Sequence, residues 1–435
     1  MSSSTRLHEE RERAPCLRDA GMRVLGKQRR VALDVLMACW GTGTWLGVNG
    51  VYMQLPLLVQ RLPERWRLPS HIAVVIQLAN VGVLLYALLR RVLPRAPDAP
   101  YVVALLLLGT LALFLNGFLY AETAVLAGAE RSVSFLTITF FTGLVGCTSS
   151  VLFYPYLRHF RDVYLATYLV GEGLSGLLPS VLSLVQGAGG EPHCEYAPGN
   201  ATAVVRQPEP RFDTTVFMGV LGALSALSLG GFLLLHLPAF RAERVQPGAA
   251  AKEDEAAGGA ALRSPRWAAV MLLMALLNAL MNGVLPAVQS YSCMPYGAQA
   301  YHLAVTLGAM ANPAACLAGV WLRPVRARVL AALLAAGVLP LAYLLATAAL
   351  SPAPPLRTHV AGTALIVAAW VSVFGVLSYA RMWVYEWARR GGTAGMRACG
   401  FVTQLGSALG SLALYFVVNY TDAFVEAPPC AERPL

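Results

Sequence analysis

Runs of about twenty apolar residues recur along the whole chain, and they decide its solvent before any single residue is read. A helix needs roughly 20 such residues to cross ~30 Å of hydrocarbon. Eleven runs are predicted, at about 31–53, 70–93, 101–121, 132–155, 162–186, 214–237, 266–290, 298–322, 326–350, 358–384 and 397–420. Lipid offers no water to the backbone, so each run must be helical; the alternating pattern of a membrane barrel is absent. Composition agrees, with 57% hydrophobic and 13% charged residues, against roughly 25% charged in soluble proteins. The expected fold is therefore an all-α polytopic membrane protein. The polar, basic first thirty residues do not read as a cleavable signal, which makes the first run a retained signal-anchor.

Lysine and arginine set the orientation. The N-terminal segment and alternate loops carry about 25 of them and the opposite loops about 8, which places the N-terminus in the cytoplasm and, after an odd number of spans, the C-terminus outside. The net charge of +10 thus lies on the face where anionic lipid sits. No recognition motif accompanies it, so nucleic acid is not an expected partner. Asn200-Ala201-Thr202 is a glycosylation sequon in a loop expected outside. Eight cysteines form no metal or redox spacing. Cys194 and Cys430 lie in segments expected outside, where oxidation is allowed, and make a candidate disulfide, with Cys293 a further candidate.

A charged, Ala/Gly-rich stretch at about 238–264 reads as a flexible cytoplasmic linker. It separates a six-span bundle (31–237, with an external loop at 187–213) from a five-span bundle (266–420), flanked by tails 1–30 and 421–435. The bundles repeat a polar pattern. "WLGVNGVYMQLP" in the first span carries Trp45, Asn49, Gly50, Gln54 and Pro56; "LMNGVLPAVQSY" in the seventh carries Asn282, Gly283, Pro286, Gln289 and Tyr291. Asn80 follows Asn49 by 31 residues and Asn312 follows Asn282 by 30. The fifth span reads "GEGLSGLLPS", with Glu172, and the eleventh "QLGSALGS", with Gln404. Interrupted helices at matching places in two related halves point to a site near the midplane. Asparagine-glycine pairs also serve close helix packing, so each asparagine has two readings, ligand or packing contact. An intramembrane carboxylate such as Glu172 is costly unless protonated, paired or hydrated, and is read either as functional or as paired with an arginine. His302 is a packed histidine or a site residue. Arg381 and Glu386, near the predicted end of the tenth span, read as interfacial anchors or a gate pair. No HExxH, P-loop or GxSxG motif occurs, so neither enzyme nor resident cofactor is expected.

At these residues the chain resembles the riboflavin transporter family, solute carrier family 52. The likeness lies in "GTWLGVNGVYMQLPLLV", "LPERWRLPS", "VVIQLANVG", "CTSSVLFYPY", "LVGEGLSGLLPS", "NGVLPAVQSYSCMPYGAQAYHLA" and "QLGSALGS". It implies eleven spans, an architecture similar to equilibrative nucleoside transporters and the major facilitator arrangement, and sodium-independent riboflavin uptake at the plasma membrane. Some relatives are gammaretroviral receptors, which makes a viral envelope a weakly implied partner. Substrate-binding residues expected from repeat and resemblance together are Trp45, Asn49, Gln54, Asn80, Thr148, Glu172, Asn282, Gln289, Tyr291, Tyr301, His302 and Gln404. Two departures from the family pattern remove carboxylates: Gln54 stands where relatives have Glu, and Gly146 where they can have Asp. Weak pH dependence is the expectation. Side-chain amides suit a flavin's mixed donor and acceptor edge, and aromatic faces suit its ring. A nucleoside-like carrier, or a receptor without transport, is the alternative.

Overall fold

The computed structural model describes residues 30–126, 128–157, 159–160, 164–190, 193–196, 203–206, 208–237, 264–321, 326–388 and 392–426. Asn200, Cys430, the side chain of Cys194, the N-terminal tail and most of the linker lie outside them. Eleven helical rods follow one another through the described residues. The first is bent, Val31–Thr42 and Leu46–Arg61 meeting at 55°. The second joins Leu68–Leu78 to Val81–Val92. Next come Ala99–Leu119, Val133–Leu157, Leu165–Gln186 and Thr214–Leu234. The seventh runs Pro265–Ala279, a π-helical turn Leu280–Val284, then Leu285–Cys293. Ala298–Trp321, Ala327–Ala349, Val360–Ala388 and Gly392–Tyr420 complete the set.

These rods follow the order of the expected spans, and nine of them, or ten with the bent first pair counted as one, are long and apolar enough among the described residues to cross a membrane; two differences at the ends are informative. The first span continues to Arg61, well past the expected residue 53. Its polar tail is satisfied from within, Gln60 Nε2 donating to Pro56 O at 2.6 Å. The tenth span continues to Ala388 rather than 384, which draws Arg381 into the helix body. The first interruption also differs from expectation. Asn49, Gly50 and Pro56 lie inside a continuous helix; the break falls earlier, at Gly43–Trp45. In the seventh span the interruption falls on Asn282-Gly283 itself, as a widened π turn of the kind that often marks a functional position.

Two short hairpins add to the all-helical expectation: Ala124–Leu126 pairs with Ala129–Arg131, and His193–Tyr196 with Ala203–Arg206. Both lie on one face of the molecule, here called the hairpin face; the other is the linker face. On the hairpin face the buried Glu64 carboxylate accepts from the backbone N–H and the hydroxyl of Ser132, at 2.8 and 2.7 Å, which ties the turn after span 1 to the start of span 4.

Packing divides the rods as the repeat predicts. Span 1 packs on span 5, and span 7 on span 11; span 4 takes spans 2 and 3, as span 10 takes spans 8 and 9. Span 6 fills the space beside spans 1 and 3. Close approach carries the 1–5 and 7–11 contacts. A Cβ on Gly171 would stand 2.1 Å from Ala38 O, and one on Gly406 2.1 Å from Ala275 O. A Cβ on Gly283 would stand 2.4 Å from the backbone of both Gly410 and Ser411. Water drives no helix association in lipid, so such backbone contact is what holds these pairs together. Toward the linker face, Trp40 anchors the first half among Phe153, Tyr156, Tyr168 and Phe232.

Candidate functional site

The two halves meet through spans 1, 2 and 5 on one side and spans 7, 8 and 11 on the other. The named contacts between them lie toward the hairpin face. Trp66, in the turn Arg65–Arg67, packs edge-on to Tyr291 at 5.7 Å, and its carbonyl accepts from Ser290 Oγ at 2.7 Å. Phe424 covers Tyr291 from the far side at 5.5 Å. Glu426 pairs with Arg65 at 3.3 Å and Asn419 Nδ2 donates to Ser70 Oγ at 3.0 Å, both across the halves, and within the second half Ser351 Oγ donates to Val425 O at 2.6 Å. Arg65 holds a left-handed backbone, φ 47°, uncommon outside glycine. Burial pushes the Glu426 carboxyl above its ordinary range, against the pull of Arg65 and Arg67. Together these residues form a seal across the hairpin face.

The repeated asparagines occupy equivalent places. Asn49 of span 1 donates to Ser175 O of span 5 at 3.2 Å. Asn282 of span 7 donates to Ser407 Oγ of span 11 at 3.0 Å, with Asn278 Oδ1 at 3.4 Å. Each amide N–H₂ staples its own half, and each amide oxygen is left without a bonded partner among the described residues. An asparagine so held presents an oriented acceptor. Glu172, about a third of the way along span 5, accepts from Tyr154 of span 4 at 2.7 Å; its counterpart in the repeat, Gln404, is exposed. Trp45, half-buried at the bend of span 1, lays its indole over Gly146, where a Cβ would meet the ring at 2.7 Å. A larger residue at Gly146 would displace that ring.

The other expected residues fall into two groups. Gln289, Tyr291, Tyr301 and His302 are buried near the seal. Gln289 Nε2, Tyr301 Oη and His302 Nδ1 have no hydrogen-bond partner among the described residues, and His302 packs against Gly189 just past the end of span 5. Gln54, Asn80 and Thr148 have contacts within their own half, while Asn80 Oδ1 and Thr148 Oγ1 keep no hydrogen-bond partner among the described residues. Gln54 is fully buried, donates to Gln186 Oε1 at 2.7 Å and accepts from Thr214 Oγ1 at 3.0 Å, while Gln186 Nε2 donates to Phe212 O. This network locks spans 1, 5 and 6 together. Asn80 sits at the break of span 2 and donates to Gln77 O at 3.1 Å. Thr148 is buried against Gly82. Sequence reasoning missed Tyr154 and, apart from Tyr291, the residues of the seal. "LPERWRLPS" gave a signal, since a tryptophan among arginines in a short loop has to pack on something. Phe424 and Glu426 gave none. No cluster of residues able to hold a metal occurs among the described residues.

Known proteins agree with this architecture. A nucleoside transporter, NupG, superposes with a TM-score of 0.54 at 16% identity, covering 91% of this chain and 92% of its own. An inward-facing, unoccupied bacterial homologue of the human lysosomal transporter Spinster gives 0.51 at 13% identity, over 89% and 82%. At these identities the likeness is one of fold. Sequence relatives are far nearer. Riboflavin transporter 2 of Salmo salar is 39% identical over 448 aligned positions, covering 91% of this chain and 97% of that protein. Riboflavin transporter member 2 of Homo sapiens is 37% identical, over 93% and 98%. The family model described as solute carrier family 52, riboflavin transporter, matches residues 29–260 and 241–426. With both halves covered, the chain belongs to solute carrier family 52, the riboflavin transporters.

Proposed function

We propose that this protein carries riboflavin into cells across the plasma membrane, by alternating access and without sodium. One observation carries the reading: identity of 39% to a named riboflavin transporter extends over 91% of the chain, both halves included. The chemistry supports it. Riboflavin is neutral, with a flat apolar ring, a heteroatom edge and a chain of hydroxyls. Asn49 and Asn282 offer matched acceptors from the two halves, and Trp45 offers a ring face. Each buried polar group of the ligand needs such a partner. The six-span and five-span halves are the bodies that rock, with the hairpin face outside and the N-terminus in the cytoplasm. The seal then describes a carrier closed to the exterior. Nothing in this scheme needs a reacting side chain, so the protein is not an enzyme.

A nucleoside carrier is the second reading, favoured by the likeness to NupG, but that likeness shows fold alone. Uptake of radiolabelled riboflavin into cells expressing the protein separates them. Unlabelled riboflavin should compete and unlabelled nucleosides should not; the reverse order would assign the carrier to nucleosides.

A further inference from the structure

We propose that Arg381 contacts the transported molecule, setting its guanidinium fork on an acceptor-rich edge of the ring and thereby acting as a specificity residue. The inference rests on the reading of riboflavin as substrate. Arg381 lies seven residues from the end of Val360–Ala388, about 10 Å inside the helix terminus, so it is deeper than an interfacial anchor. A cation at that depth is costly without compensation. Its hydrogen-bond partner among the described residues is a poor acceptor, the thioether of Met281, 3.6 Å from Nη1. Its Nε is buried with no partner. The ion pairs Arg65–Glu426 and Arg90–Asp98 do not involve it. Glu172, the intramembrane carboxylate across the halves, is engaged by Tyr154 instead.

The surroundings point the same way. Met281 belongs to the π turn that also carries the repeat-related Asn282, so the guanidinium contacts the same turn. Cys399 of span 11 is close enough to feel its charge. One turn further along span 11, Thr403 Oγ1 is buried without a partner, as is Ser378 Oγ one turn before Arg381. The cation thus stands among unused polar atoms in a carrier for a neutral molecule. Guanidinium presents planar paired donors that match two adjacent acceptors, whereas a lysine ammonium offers a point charge. A flavin ring presents a carbonyl oxygen beside a ring nitrogen twice, at its 1,2 and its 4,5 edges. Compensation of the cation by such an edge needs no carboxylate.

The test uses full-length protein in detergent and displacement of tritiated riboflavin by riboflavin, 1-deazariboflavin and 5-deazariboflavin. Each analogue removes one ring acceptor. For wild type, one analogue should bind about tenfold more weakly than riboflavin. Arg381→Lys and Arg381→Met should each weaken riboflavin by about ten- to a hundredfold, the loss of one or two charge-assisted hydrogen bonds, and should no longer distinguish riboflavin from that analogue. Arg381→Lys retains the charge, so it serves where Arg381→Met does not give folded protein. A Lys variant with wild-type affinity and wild-type discrimination would assign Arg381 a charge-only role and overturn the proposal; so would a wild type that binds both analogues as tightly as riboflavin. A wild type that binds no riboflavin overturns the substrate reading itself, a distinct result.

Discussion

Gln54 and Asn49 stand five residues apart on one helix and hold opposite expectations. Gln54 is spent inside its own half, bonded to Gln186 and Thr214. Replacing it with alanine strands two buried groups, at about 1–3 kcal/mol of stability. Gln54→Ala should therefore lower thermal stability and surface level while the residual protein keeps its KM. Asn49 has an acceptor to spare, and Asn49→Ala should raise KM about tenfold at normal surface level; an unchanged KM would return Asn49 to packing alone. Glu426 gives the pH expectation. Its carboxyl titrates higher when buried in the seal than when solvated, so the sealed form binds the proton more tightly than an opened one. Acidification from the raised value down into the ordinary glutamate range therefore favours the seal, even though the Arg65 pair is lost. This group cannot produce faster uptake at acid pH. Between pH 7.5 and 5.5 initial uptake should change by less than about twofold, and Glu426→Gln should not steepen it; a steep acid stimulation would mean that another group, such as His302 or Glu172, is coupled. The sequence showed which polar residues sit in lipid. It could not show their partners, because Gln54 finds Gln186 132 residues away, and whether an amide is used up depends on that partner.

At the level of helices, glycines with the same local look have different duties. Gly171 touches the backbone of span 1, whereas Gly173 has nothing within 4 Å of an added Cβ. Gly171→Ala should cost about 1–3 kcal/mol or more through overpacking, seen as loss of folded carrier in fluorescence-detected size exclusion. Gly173→Ala should be tolerated, and equal behaviour of the two would disprove backbone contact as the basis of the 1–5 pair. The spans themselves were legible because roughly twenty apolar residues and the demand for internal hydrogen bonds leave one solution. Interruptions were half legible. Asn282-Gly283 marks the π turn, but span 1 bends at Gly43–Trp45, where Gly41 and Gly43 adjoin spans 5 and 6. Pro56 instead stays in the helix, its ring beyond the first turn. The hairpins escaped notice because three- and four-residue strands are too short for periodicity to register.

The molecule as a whole closes one face with an aromatic stack, an ion pair and crossing hydrogen bonds contributed by both halves. Trp66→Ala should loosen that closure. With Ser290→Cys as reporter, a membrane-impermeant thiol reagent added outside should label the Trp66→Ala background several-fold faster than the Trp66 background, the parent without the added cysteine giving the baseline; equal rates would show that Trp66 does not hold the face shut. The closure has a kinetic consequence. After each delivery the empty carrier must break the Trp66–Tyr291 packing and the Arg65–Glu426 pair with no passenger to bridge its halves. A vitamin molecule on the return journey would supply contacts to both halves throughout the swing, so the occupied carrier turns over faster than the vacant one. Cells preloaded with unlabelled riboflavin should then take up label faster than depleted cells, and import and export would run as accelerated exchange.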